Sequence, residues 1–121
     1  MKILTIGDIF GSSGRDAVFE VLENYPQQID FIIANAENST HGRGLSAPVY
    51  NELKKTKIDV FTRGNHAWGC SDVTNILRYN DNVIRPYNFE GNVPGNGYTV
   101  ITAKNGVRVG VLNLIGRTFM P

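Results

Sequence analysis

Three short apolar runs alternate with segments whose apolar residues recur at helical spacing, and this alternation constrains the fold more than any other feature of the chain. Residues 2–7 form an Ile-rich run that reads as a buried strand; residues 30–35 and 58–62 read as two more. After the first, Ser13-Gly-Arg-Asp16 matches a capping box that opens a helix carrying Ala17, Val18, Val21, Leu22 and Tyr25 on its apolar side, with Pro26 as its stop. Residues 46–57 read as a second helix with Val49, Tyr50 and Leu53 inward. Its last turn holds Lys54, Lys55 and Lys57, a solvated helix end where cations suit the dipole rather than a ligand site. Residues 71–79 read as a third helix, capped by Ser71.

The remainder changes character. Residues 82–97 are dense in Asn, Pro and Gly and read as an irregular loop with a short strand at Val83 and Ile84. Residues 98–103 and 107–114 are two antiparallel strands joined through Lys104-Asn105-Gly106, with Asn-Gly as a two-residue hairpin turn. The order β-α-β-α-β-α followed by a β-hairpin implies an α/β domain in which helices cover a parallel sheet and the later strands start a second sheet. In such sheets the chemistry collects at the carboxyl ends of the strands.

Size and charge narrow the function. The 121 residues suit one domain, read here as residues 1–121, and 41% hydrophobic against 19% charged content suits a globular chain. A net charge of +1 provides no electrostatic footprint for duplex nucleic acid, RNA backbone or anionic lipid. The single Cys70 excludes an internal disulfide framework and suits a reducing compartment. The opening apolar run is cut off by Asp8, too short for a signal peptide or membrane span, so a cytoplasmic location is the default.

Three loops at expected strand ends hold the chemistry-bearing residues. In the first, Asp8 precedes Gly11 and Gly14, small residues that let backbone amides approach an anion; the spacing fits neither a dinucleotide fingerprint nor a P-loop. Asp8 could equally cap an ordinary turn. The second loop places Glu37, Asn38 and His41 close together, oxygen and nitrogen donors suited to Mn, Fe, Mg or Zn, although a His in a glycine-rich loop commonly serves as a loop hydrogen-bonder. The third carries Gly64-Asn65-His66 and Trp68. Asn65 offers a carboxamide oxygen to a metal and His66 a proton donor to substrate, while Trp68 suits packing over the local core or stacking on a base.

Taken in order, these loops resemble the first half of the two-metal site of the calcineurin-like metallophosphoesterases. The closer resemblance is to the bacterial YmdB-like family. It rests on Ile6-Gly-Asp-Ile-Phe-Gly-Ser-Ser-Gly-Arg15, Asn35-Ala-Glu-Asn-Ser-Thr-His-Gly-Arg-Gly44 and Gly64-Asn-His-Ala-Trp68, with Arg85-Pro-Tyr-Asn-Phe89, Pro94-Gly-Asn-Gly97 and Asn113-Leu-Ile-Gly-Arg-Thr-Phe119 further along.

The resemblance implies an α-β-β-α sandwich of two sheets flanked by helices, here the first half and a hairpin. It further implies a centre of two divalent metal ions (Fe, Mn, Mg or Zn) and hydrolysis of phosphodiesters, cyclic nucleotides such as 2′,3′-cyclic ones included, by a hydroxide bridging the metals. By position, Asp8 would bind the first metal, Glu37 would lie between the two, Asn38 would be a metal-site residue beside Glu37, Asn65 would bind the second, and His66 would protonate the leaving oxygen. Two departures stand out: Ala36 replaces the family's Gly, and Gly69-Cys70 stands where an Asp usually follows. The family draws three more histidines from later loops, and this chain holds His41 and His66 alone. The expectation is therefore an amino-terminal portion or a shortened relative, completed by further sequence or by a second copy in a homo-oligomer. The alternative is a catalytically silent module that binds nucleotide or metal. A flavodoxin-like or Rossmann-like domain would explain the alternation but leaves Glu37-Asn38 and Asn65-His66 without a purpose.

Overall fold

A computed structural model describes residues 1–66 and 70–119, so the Trp68 reading lies outside the described residues. Four strands, β1 (Ile3–Asp8), β2 (Phe31–Asn35), β3 (Val60–Thr62) and β4 (Val83–Ile84), pair in parallel in the order β1-β2-β3-β4. The connecting helices are α1 (Gly11–Asn24), α2 (Ala47–Leu53) and α3 (Val73–Tyr79). Strands laid down consecutively in one direction, each joined by a right-handed crossover, put their helices on the same face. Ile32, Ala34 and Phe61 of the sheet accordingly pack with Val18, Leu22, Tyr50, Leu53, Ile76 and Leu77 of the helices.

The opposite face meets the antiparallel pair β5 (Tyr98–Thr102) and β6 (Arg108–Leu112). Alternate residues Phe31, Ile33, Val60 and Ile84 point there and contact Ile101, Ala103, Val109 and Val111. The described residues thus stack as helices, parallel sheet and antiparallel sheet, the expected α/β sandwich. Each of the fully buried Phe31 and Phe61 side chains contributes about 1.5–3 kcal/mol to this packing.

Local details depart from the sequence reading. β1 is the edge strand rather than a buried one: Leu4 and Ile6 pack against the helices, but Ile3 is 48% exposed. The capping box is absent, because α1 begins two residues before Ser13 and has no side-chain cap. Its start is fixed instead by the neighbouring loop, where Gly11 N–H donates to the Asn38 carbonyl at 3.0 Å. α2 stops at Leu53 rather than at Lys57, since the chain tightens there into Lys55-to-Glu52 and Thr56-to-Leu53 bonds, and the Thr56 hydroxyl also takes the Leu53 carbonyl.

α3 starts at Val73, with Asp72 rather than Ser71 at the cap position, and Asp72 Oδ2 serves the other helix by accepting Ala47 N–H at 3.0 Å. The hairpin is not a two-residue turn. Thr102 still pairs with Arg108, Gly106 N–H reaches the Ala103 carbonyl, and Gly106 alone takes the left-handed φ of 86°. A type I′ turn requires positive φ at Asn105 as well, whereas Gly106 suffices for a longer loop.

Candidate active site

The parallel strands deliver their polar residues to a common end. β1 reaches it through an irregularity: Ile6 pairs with Ala34 and Asp8 with Asn35, so Gly7 is an extra residue. A bulge of this kind turns the following side chain, here Asp8, out of the alternation it would otherwise obey. Asp8 then meets Asn38 from the loop after β2, whose Nδ2 donates to both carboxylate oxygens at 2.9 and 3.0 Å.

That contact orients the rest. Carboxylate oxygens only accept, so the Asn38 amide must turn its nitrogen to Asp8 and its oxygen the other way. The oxygen lies 2.7 Å from His66 Nδ1. An amide oxygen only accepts, so His66 carries its proton on Nδ1 and leaves Nε2 directed elsewhere. Residues from three separate strand ends are thereby joined through one side chain.

Glu37 is fixed from two sides. Its N–H donates to Asn35 Oδ1 at 3.1 Å, Asn35 Nδ2 returns to Oε1 at 3.5 Å, and His66 N–H reaches Oε2 at 3.3 Å. Gly64 makes this close approach possible: a Cβ there would lie 2.5 Å from both Glu37 carboxylate oxygens. Asn65, between Gly64 and His66, is exposed on the turn. His41 is exposed with a φ of 51°, and no hydrogen bond among the described residues joins it to Asp8, Glu37 or His66.

Sequence reasoning missed what lies beneath. Arg63 is 1% exposed and donates from Nη2 to the His66 carbonyl at 2.9 Å, which braces the Gly-Asn-His turn. Its Nε and Nη1 have no partner among the described residues, and burial pulls its pKa down to about 10 against the opposing pull of Cys70 and Glu37. Asn113, just beyond β6, donates from Nδ2 to the carbonyls of Arg63 and Ile84, tying the second sheet to the floor of the site. An Arg following an apolar strand gives no signal of this role, whereas Asn113 did fall within a family motif. Another motif residue, Arg85, serves the fold: its guanidinium donates to the carbonyls of Pro94, Pro86, Val93 and Gly95 and thus holds the irregular loop.

The donor set suits hard divalent cations, with carboxylates on Asp8 and Glu37 and carboxamides on Asn38 and Asn65. The space Gly64 leaves for the Glu37 carboxylate fits the same use. The set is nevertheless partial, because no group of three or more His, Cys, Asp or Glu gathers among the described residues.

A parallel sheet with helices on one face, an antiparallel sheet on the other and acid, amide and imidazole at the strand ends is the sandwich of the calcineurin-like phosphoesterases. Within that class the chain belongs to the YmdB-like protein family, whose model matches residues 4–121. It is 41% identical over 123 residues to the 2′,3′-cyclic-nucleotide 2′-phosphodiesterase of Bacillus subtilis strain 168, covering 100% of this chain and 46% of that protein. A crystal structure of a hypothetical protein from Thermus thermophilus superposes with a TM-score of 0.87 at 32% identity, over 99% of this chain and 47% of that one. That of a novel phosphatase from Mycoplasma pneumoniae gives 0.80 at 30% identity, over 96% and 43% respectively. The chain spans about half the length of the relatives it matches. Among the described residues, no helix is long and apolar enough to cross a membrane.

Proposed function

We propose that this chain carries the first half of a metal-dependent phosphodiesterase site acting on cyclic nucleotides, 2′,3′-cyclic ones among them, in the cytoplasm. One observation carries the reading: the Asn38 amide links the Asp8 carboxylate to the His66 imidazole, beside a Glu37 carboxylate that Gly64 makes room for. Asp8, Glu37, Asn38 and Asn65 would hold two divalent ions of the Fe, Mn, Mg or Zn type. Such ions supply charge neutralisation on a bound phosphate and acidify water.

The protein's own part is positional. Asp8 fixes the Asn38 amide, the amide holds His66 through its Nδ1–H, and in the imidazolium form, which carries a proton on each ring nitrogen, Nε2 would deliver its own to the leaving oxygen. Arg63 holds the turn that carries His66. Phosphoryl transfer asks chiefly for charge stabilisation and a protonated leaving group, so no protein nucleophile is needed. The remaining metal ligands would come from later residues or from a second copy.

The partial donor set favours a second reading, a silent module that binds metal or nucleotide without turnover. Hydrolysis of 2′,3′-cyclic AMP with added Mn²⁺, measured beside an Asn65→Ala variant, separates the two. The expected result is turnover in the wild type that the variant loses. Turnover equal in both rejects the site, and nucleotide binding without turnover selects the silent module.

A further inference from the structure

Phe10 lies in the turn between Asp8 and α1 and is 60% exposed, an apolar side chain that is not part of the buried core. Its backbone is nevertheless fixed. Ile9 N–H donates to the Asn35 carbonyl and Gly11 N–H to the Asn38 carbonyl, each at 3.0 Å, while the Phe10 carbonyl accepts Gly14 N–H at 3.0 Å. The residue is thus anchored to both sides of the loop that supplies Glu37 and Asn38.

The ring is backed on one face. A Cβ placed on Gly42 would come within 2.6 Å of Phe10 Cζ and 3.1 Å of both Cε atoms. Contacts so short and so nearly equal put that Cβ over the ring tip, because an approach in the ring plane would leave the Cε atoms much further away. Gly42, at a φ of 77°, has no side chain to collide, so its backbone lies under the ring and the exposed area belongs to the opposite face. An aromatic ring supported from below and open above, two residues from Asp8, has the form of a stacking platform. Bases stack on such rings with little regard to sequence, since each base has a π-face.

We propose that Phe10 is the specificity residue that stacks on the base of a nucleotide whose phosphate occupies the Asp8–Asn38–His66 site. This rests on the phosphodiesterase reading and deepens it, since it assigns the protein a preference for nucleotides over phosphoesters without a base.

The test measures the affinity of the Mn²⁺-supplied protein for adenosine 3′-monophosphate and for inorganic phosphate by calorimetry, in wild type, Phe10→Leu and Phe10→Trp. Leucine keeps an apolar cover over Gly42 without a π-face, and tryptophan keeps the π-face. Phe10→Leu should weaken the nucleotide about ten-fold, on the scale of one base–aromatic stack, and leave phosphate unchanged, while Phe10→Trp retains nucleotide affinity. If Phe10→Leu binds nucleotide as tightly as wild type, or loses phosphate equally, the platform is refuted while the phosphodiesterase reading stands. Wild-type protein that binds neither ligand overturns both.

Discussion

Asn38 sets the protonation of His66: the amide oxygen lies 2.7 Å from Nδ1, and the amide nitrogen is held by both oxygens of Asp8. The proton on Nδ1 is therefore dictated at one remove, by a carboxylate to which His66 makes no hydrogen bond. Long-range ¹H–¹⁵N correlation on the neutral imidazole should find Nδ1 protonated in wild type and a mixture of tautomers in Asn38→Ala. Loss of an orienting partner alone typically lowers activity or metal affinity about 10–100-fold, and turnover of Asn38→Ala should fall by at least that range, since the amide is also assigned to the metals. An Nε2–H tautomer in the wild type would contradict the arrangement outright.

Gly64→Ala tests the approach of Glu37. Its new Cβ would sit 2.5 Å from both carboxylate oxygens, and the neighbouring turn is held by Arg63, so Glu37 rather than the backbone must give way. Overpacking of this kind costs about 1–3 kcal/mol, readable as a lower urea midpoint. Mn²⁺ affinity should fall in parallel. A variant with wild-type metal affinity would show that Glu37 is not a ligand where it stands.

The order of strands and helices could be read from the sequence because burial repeats: Phe31, Val60 and Ile84 face one sheet while Leu22, Leu53 and Leu77 lie inward on three helices. The strand-end residues were legible for the same reason, since Asp8, Glu37 and Asn65 each follow an apolar run within three residues. What escaped was every feature set by contact between distant segments. Ser13 has capping chemistry, but Gly11 already finds the Asn38 carbonyl. Asp72 precedes its own helix yet binds Ala47 at the start of another. Gly64 looks like a turn glycine until Glu37, distant in sequence, is seen against it.

Arg63→Met separates bracing from stability. The buried charge leaves Nε and Nη1 unpartnered among the described residues, and burial lowers its pKa to about 10, below the guanidinium's ordinary value. The unfolded chain therefore holds the proton more tightly than the folded one. This burden on the fold is full below about pH 10 and eases as the pH rises from there toward the ordinary guanidinium value. Replacing a poorly compensated buried charge by an apolar side chain of similar volume is often neutral or stabilising. Arg63→Met should thus keep its urea midpoint within about 1 kcal/mol of wild type or exceed it, while turnover falls as the His66 carbonyl loses its donor. A loss above about 3 kcal/mol, the cost of breaking a well-paired buried ion, would mean that the guanidinium is fully compensated.

Asn113→Ala addresses the connection between the sheets. The Asn113 amide donates to the Arg63 and Ile84 carbonyls, while its own N–H and carbonyl pair with Gly97 and Tyr87 backbone. Truncation leaves the backbone pairings intact, the Arg63 N–H to Ile84 carbonyl bond included, but orphans the Arg63 carbonyl, which costs about 1–3 kcal/mol where water cannot replace the donor. The variant should unfold at lower urea, and amide exchange should accelerate first at Arg63 and His66, because the floor under the Gly-Asn-His turn opens before the helical side does. Accelerated exchange confined to β5 and β6 would instead mean that Asn113 holds only the second sheet, and that the turn is supported from the helical side.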